Sequence, residues 1–252
     1  MVITLQHYDL KLADLTLSCA FSSPRTAEYF GRWCSGPFPG EADLTIPDWL
    51  WTDVLPLLDP QDPRNEYSVF SIVCSAALLA HEKCIFHAAA LRRRDRAYLL
   101  CGPSGVGKTT QLRTLQSLYP GEFDVISGDR PILERLPGGR IMVHPSPWNG
   151  KENLAGAAAA PLSGVVLLTR AAESAVQLLS SKEAAAPLFK CFFMTADSSE
   201  ELQQIADFET AVLKAAPCWQ LACGSIDSAA RLLYHTILEG GEQNGIQAER
   251  RD

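Results

Sequence analysis

The sequence predicts an α/β (α+β) protein with a mixed, largely antiparallel sheet and flanking helices around one glycine-rich loop. Three observations predict it. Short apolar runs recur in pairs joined by polar or Gly-Pro turns, as strands in hairpins do. Stretches with apolar residues three or four apart stand between them, as helices do. One apolar run leads directly into Gly102-Pro103-Ser104-Gly105-Val106-Gly107-Lys108-Thr109 and then into an amphipathic stretch. At 252 residues the chain is long enough to bury roughly 70–75% of its unfolded surface. Hydrophobic residues make up 47% and charged residues 20%, which excludes a largely disordered chain.

Residues 1–20 read as two short strands, with apolar residues at Ile3 and Leu5 and again at Leu10, Leu12, Leu15 and Leu17. Residues 22–65 are rich in Pro, Gly, Trp and acids and read as irregular, with one strand near 42–46. A buried helix is expected over 66–81, after the Asp62-Pro63-Arg64-Asn65 turn signal. The run 84–91 reads as one buried strand. It is joined to the strand 97–101 by the charged turn Arg92-Arg93-Arg94-Asp95-Arg96, which is expected to be solvated. Leu112, Leu115 and Leu118 mark a helix over 109–118. A short strand follows at 123–127, then a hairpin of 132–136 and 140–143 around Pro137-Gly138-Gly139. Strands at 163–169 and 175–179 precede two helices, each opened by a capping-box pattern, Ser180 with Glu183 and Ser198 with Glu201. A last strand at 218–223 and a helix at 227–238, stopped by Gly240-Gly241, complete the reading. The chain divides into a β-rich extension, 1–65, packed on the core, a main domain, 66–240, and a disordered tail, 241–252.

With 22 Lys and Arg against 29 Asp and Glu, the net charge is −7. A negative surface repels phosphodiester backbones, so no nucleic-acid partner is expected. A local positive pocket for one phosphorylated ligand remains compatible with it. The N-terminus lacks a basic segment followed by an apolar core, and the longest apolar stretch, 68–80, is too short to span a bilayer. The expectation is a soluble, cytoplasmic chain without a membrane partner. Its eight cysteines form no C-x-x-C pair, which argues for buried free thiols over a zinc site.

The segment Gly102 to Thr109 matches G-x-x-x-x-G-K-[ST], the Walker A phosphate-loop pattern, at every fixed position. The pattern has a mechanism. Glycines let successive N–H groups face phosphate oxygens, and a helix N-terminus adds partial positive charge. Ser104, Gly105, Val106, Gly107 and Gly102 would supply backbone contacts to a nucleotide, with Thr110 beside them. Lys108 would reach the β- and γ-phosphates, and the Thr109 hydroxyl is placed to ligate Mg²⁺. Twenty residues on, Asp129 ends a strand and can hold the same Mg²⁺, although Gly-Asp-Arg-Pro is also good turn chemistry. Asp124 opens that strand and is the weaker choice. The loop His144-Pro145-Ser146-Pro147-Trp148-Asn149-Gly150-Lys151-Glu152 returns toward the phosphates, where Lys151 can touch phosphate and Glu152 can act as base or orient the metal. His87, in an apolar run, reads by position alone as a core histidine.

The run FHAAAL, the loop GPSGVGKTT, the strand VISGDRPIL and the loop SPWNGKE resemble the catalytic domain of HPr serine kinase and its phosphoenolpyruvate carboxykinase-like relatives. The resemblance covers roughly residues 66–240. It implies a kinase that uses ATP and Mg²⁺ to phosphorylate a hydroxyl, typically serine, on a small protein or peptide. It implies catalytic roles for His87, Lys108 and Asp129. Relatives carry two adjacent aspartates at the acidic strand; here Gly128 takes the first place, so Asp129 serves both roles or Glu152 takes the proton. Residues 1–65 are too short for the regulatory domain of the longer kinases, which implies a different substrate. Two other readings stand beside the kinase: a nucleotide-binding accessory protein without transfer, and a small-molecule kinase or carboxykinase-like enzyme. ATP against GTP, the acceptor and the oligomeric state are left open.

Overall fold

A computed structural model of the chain describes residues 5–150, 154, 156, 158–193 and 198–239. Lys151, Glu152, Gly240-Gly241 and the expected tail lie outside the described residues. The chain opens with the hairpin β1 (Gln6–Leu12) and β2 (Leu15–Phe21), as expected. The next segment is more regular than its composition implied. Ser23 caps α1 (Pro24–Phe30) by accepting from the N–H of Arg25, and Pro24 takes the first helical turn. A 3₁₀ turn leads to β3 (Cys34–Phe38), which pairs with β1. The strand expected near 42–46 reduces to one bridge, Cys19 to Leu44. A short π turn, Leu50–Val54, precedes α2 (Pro63–Leu79), capped by Asp62.

The main sheet is built from β4 (Lys83–Ile85), β5 (Ala88–Arg93), β6 (Arg96–Cys101), β7 (Asp124–Ser127), β8 (Ile132–Arg135), β9 (Ile141–His144), β10 (Ala160–Arg170), β11 (Ala175–Leu179) and β12 (Cys218–Cys223). The helices are α3 (Lys108–Leu118), α4 (Ser181–Phe189), α5 (Ser199–Ala215) and α6 (Ile226–Leu232). A π turn, Leu233–Glu239, continues α6 where one helix to 238 was expected. The strand order is β4-β8-β9-β10-β6-β5-β7, with β12 on β10 and β11 on β12. The pairings of β10 with β6 and β12 are parallel, and the others in this sheet are antiparallel. The protein is therefore mixed α/β, with a mixed sheet and flanking helices.

Two further expectations need correction. The run 84–91 is two strands, because β4 pairs with β8 while β5 pairs with β6 and β7. His87 stands at the break. The charged turn shrinks to Arg94-Asp95, since β5 and β6 stay paired out to Arg93 and Arg96. Arg93 is buried, bonding Glu122 and the carbonyl of Leu238. A guanidinium on a strand face can be covered once an acid and a carbonyl meet its fork.

Successive residues of a strand face opposite sides, and both sides here are covered. Ala88, Ala90, Leu99, Cys101, Val165 and Leu167 share one core with Leu188 of α4 and Ile205, Phe208 and Val212 of α5. Ala89, Leu91, Tyr98, Leu100, Val166 and Leu168 share another with Leu112 and Leu115 of α3 and Ala229 and Ala230 of α6. A third core joins the extension to α2 through Leu10, Phe21, Phe30, Phe70 and Trp148. Six of the free cysteines are buried and two half-buried, and among the described residues no helix is long and apolar enough to cross a membrane.

Glu66 of α2 clasps the extension. It is buried and accepts from the Ser22 N–H at 2.6 Å and from the Thr26 hydroxyl. Glu66→Ala leaves the buried Thr26 hydroxyl and the half-buried Ser22 N–H without this acceptor, so we expect a loss of about 2–3 kcal/mol in urea unfolding. A loss below about 0.5 kcal/mol would show that this clasp does not hold the extension.

Candidate functional site

Strand direction gathers the site. β5 is antiparallel to both β6 and β7, and β10 and β12 run parallel to β6. The C-terminal ends of β6, β7, β10 and β12 therefore reach the same edge as the start of β5. Open sheets place ligands at such carboxyl ends. Here that edge carries the glycine-rich loop after β6, Gly128-Asp129 after β7 and His87 before β5.

The loop needs its glycines. Gly102, Gly105 and Gly107 take φ of 141°, 76° and 114°, which L side chains rarely adopt. At Gly102 a Cβ would also stand 3.0 Å from the carbonyl of Leu168. Gly107 is the N-cap of α3 and offers no side-chain cap, so the first amides of the helix face the loop concavity without one. Ser104, Gly105, Gly107, Thr109 and Thr110 line a cavity of about 430 Å³ together with Asp129. Gly102 and Val106, also expected at a nucleotide, support the loop from outside that lining; the Val106 N–H donates to Pro103 at 3.2 Å.

Lys108 is only 7% exposed. Its ammonium donates to the carbonyls of Gly102 at 2.8 Å and Pro103 at 3.4 Å, and meets Nε2 of His87 at 3.0 Å. The His87 backbone is fixed by a 2.6 Å bond from its N–H to the carbonyl of Cys191. Nε2 also lies 3.4 Å from Oδ1 of Asp129. Burial pushes the Lys108 ammonium below its usual range, against the pull of Asp129. Burial pushes the Asp129 carboxyl up, but His87 beside it and the charges of Arg130 and Lys108 outweigh burial and hold it low.

Arg130 was not singled out by the sequence. Its Nε is 3.4 Å from Oδ2 of Asp129, and its fork donates to Ser71 of α2 at 2.7 Å. The guanidinium also covers the ring of Phe193. The available signal was Ser68 and Ser71 among the apolar residues of α2. The same helix anchors the 144–150 loop. Tyr67 donates to the carbonyl of Pro147 at 2.6 Å, and the Trp148 indole donates back to the Tyr67 carbonyl at 2.8 Å. This brings Asn149 and Gly150 onto the cavity. Glu152, the second candidate base, lies outside the described residues. Asp124 is engaged elsewhere, by Arg92 at 2.8 Å.

Gly128 has a steric reason. A Cβ there would stand 2.6 Å from the carbonyl of Asn149 and 3.2 Å from Leu154. No side chain fits, so a second aspartate has no place in this backbone. The lining offers one carboxylate, Asp129, and the hydroxyl residues Ser104, Thr109 and Thr110, of which the Walker A pattern assigns Thr109 to the metal. That set fits Mg²⁺ when phosphate oxygens complete the shell, and it is too sparse for a metal held by protein alone. Among the described residues, no three His, Cys, Asp or Glu side chains gather as such a cage.

Gly128→Ala should cost about 1–3 kcal/mol by overpacking against the 149–150 backbone, a fall of about 2–10 °C in thermal midpoint. An unchanged midpoint contradicts this packing. The low carboxyl of Asp129 also has a sign. Its folded value lies below its unfolded one, so its charge stabilises the fold above about pH 4 and that contribution is lost as pH falls through the folded value. Asp129→Asn should flatten the decline of thermal midpoint between about pH 4 and pH 2; an unaltered acid limb would contradict the assignment. No protein-family model matches the chain, and no curated protein matches it, so its chemistry is read from this geometry.

Proposed function

We propose that the chain is an ATP- and Mg²⁺-dependent phosphotransferase of the HPr serine kinase-like kind, with residues 66–240 as its catalytic domain. The phosphoryl group would pass to a hydroxyl, typically serine, on a small protein or peptide. The observation that carries this reading is the meeting of Lys108, His87 and Asp129 beside the uncapped start of α3. A Walker A loop accounts for both the positive-φ glycines and the buried ammonium. The mixed sheet around it is compatible with the phosphoenolpyruvate carboxykinase-like fold that the sequence resembles.

The loop amides and Lys108 would hold the β- and γ-phosphates. Lys108 would then exchange its loop carbonyls for phosphate oxygens, freeing the His87 ring to turn toward Asp129. Thr109 and Asp129 would hold Mg²⁺, which would supply neutralisation of the charge on the departing group. The acceptor oxygen forms a bond to the terminal phosphorus as the bond to the bridging oxygen breaks, and ADP leaves with that oxygen. The hydroxyl proton passes to Asp129. A carboxylate held this low is a weak base. Phosphoryl transfer through a loose transition state asks mainly for orientation, so one carboxylate is enough.

Gly128 favours a second reading, a nucleotide-binding accessory protein without transfer, because its site has no room for a second carboxylate. Two variants separate the readings. Saturating Mg-ATP at 100 times Kd should stabilise the chain by ~2.7 kcal/mol, or roughly 5–10 °C. Lys108→Ala should lose this shift while keeping its fold. Asp129→Asn should keep most of the shift but lose Mg²⁺-dependent release or transfer of the γ-phosphate, by about 100-fold or more. A wild-type shift without any turnover favours the accessory protein. No wild-type shift with ATP or GTP contradicts both.

A further inference from the structure

A second cavity, of about 580 Å³, opens beside the first. Its volume is that of a ligand site. Its lining comes from the C-terminal end of β10, from β11, β12 and α4, and from the Gly102-Pro103-Ser104 side of the loop. Leu167, Leu168, Leu179 and Pro187 make it largely apolar, with Ser104, Thr169, Gln177 and Gln220 as uncharged polar groups. Glu183 and Lys190 also border it, but both are exposed, and Glu183 is engaged by the Ser180 cap at 2.8 Å and 2.6 Å. His87 and Ser104 line both cavities. His87 is also the residue in contact with Lys108 and Asp129, so the second cavity adjoins the charged cluster itself.

The geometry points to this cavity as the acceptor pocket, taking a hydroxyl compound whose hydroxyl is flanked by a bulky apolar group. The inference rests on the phosphotransferase reading for the word acceptor, and on the cavity alone for the ligand class. An acceptor hydroxyl near Asp129 and His87 places the neighbouring part of its molecule past His87, against Leu167, Leu179 and Pro187. A charged group there would lose water without a buried partner, whereas an apolar group gains by leaving water. A third cavity, of about 440 Å³, adjoins the first through Asn149 and does not include His87. Its Arg32 already lies over the ring of Trp33. It is the weaker place for an acceptor.

The test is direct binding, without nucleotide, followed by NMR titration. The probes are N-acetyl-Ser-Phe-amide, N-acetyl-Ser-Gly-amide and 3-phenylpropan-1-ol. The Phe peptide should bind at least tenfold more tightly than the Gly peptide. Leu179→Trp and Gln177→Trp, which fill the cavity, should each weaken it at least tenfold. Circular dichroism checks each fold; should Leu179→Trp not fold, Gln177→Trp decides, being exposed on β11. If the free alcohol binds as well as the Phe peptide, a small molecule is the source of the hydroxyl. If the peptide binds tenfold better, a peptide chain is. Equal binding of the Phe and Gly peptides, or undiminished binding by the filled variants, overturns the proposal. Preference for Phe without phosphoryl transfer leaves the pocket and removes the kinase; phosphoryl transfer without the preference does the reverse.

Discussion

A buried ammonium at Lys108 sets the terms for its surroundings. A cation this far from water must find acceptors, and it finds two loop carbonyls and one imidazole nitrogen. Those acceptors fix the start of the loop, where Gly102 takes a φ of 141°. The counter-charge follows at Asp129, held low although it is partly buried. The arrangement disfavours the charged lysine, since its value is depressed in the fold. Polar groups held against their preference mark sites that trade stability for function.

The sheet makes this cluster possible. β6 lies between a parallel neighbour, β10, and an antiparallel one, β5. Parallel pairing brings strand ends together on one edge, and the antiparallel partner brings a strand start there. One edge therefore receives a loop, an acid and a histidine from three separate strands. The break between β4 and β5 releases His87 from the ladder. Its N–H then reaches the carbonyl of Cys191, which ties the histidine to the segment following α4. The extension contributes indirectly: its core rests on α2, and α2 holds both Arg130 and the 144–150 loop.

Much of this was legible in the residues. The loop pattern, the hairpin of β8 and β9, the capping box at Ser180 and the strand bearing Asp129 each carry a local signal. What was missed depends on partners distant in sequence. A continuous apolar run such as 84–91 has no period, so a change of pairing partner inside it leaves no mark. Arg93 looked solvated because its partners, Glu122 and Leu238, come from far along the chain. The parallel pairings of β10 are equally non-local. α1 had its signal, Ser23-Pro24, hidden among prolines and glycines that argued for irregular chain. The lack of room at Gly128 comes from the carbonyl of Asn149, which only folding brings there.

The most direct measurement is a crystal structure grown with Mg²⁺ and a non-hydrolysable ATP analogue. The account predicts the phosphates over the first turn of α3, with Lys108 turned from Gly102 and Pro103 to the terminal phosphate. It also predicts Thr109 and Asp129 at the metal and His87 facing Asp129. A nucleotide bound elsewhere, or a Lys108 still seated on its loop carbonyls with phosphate present, would contradict it.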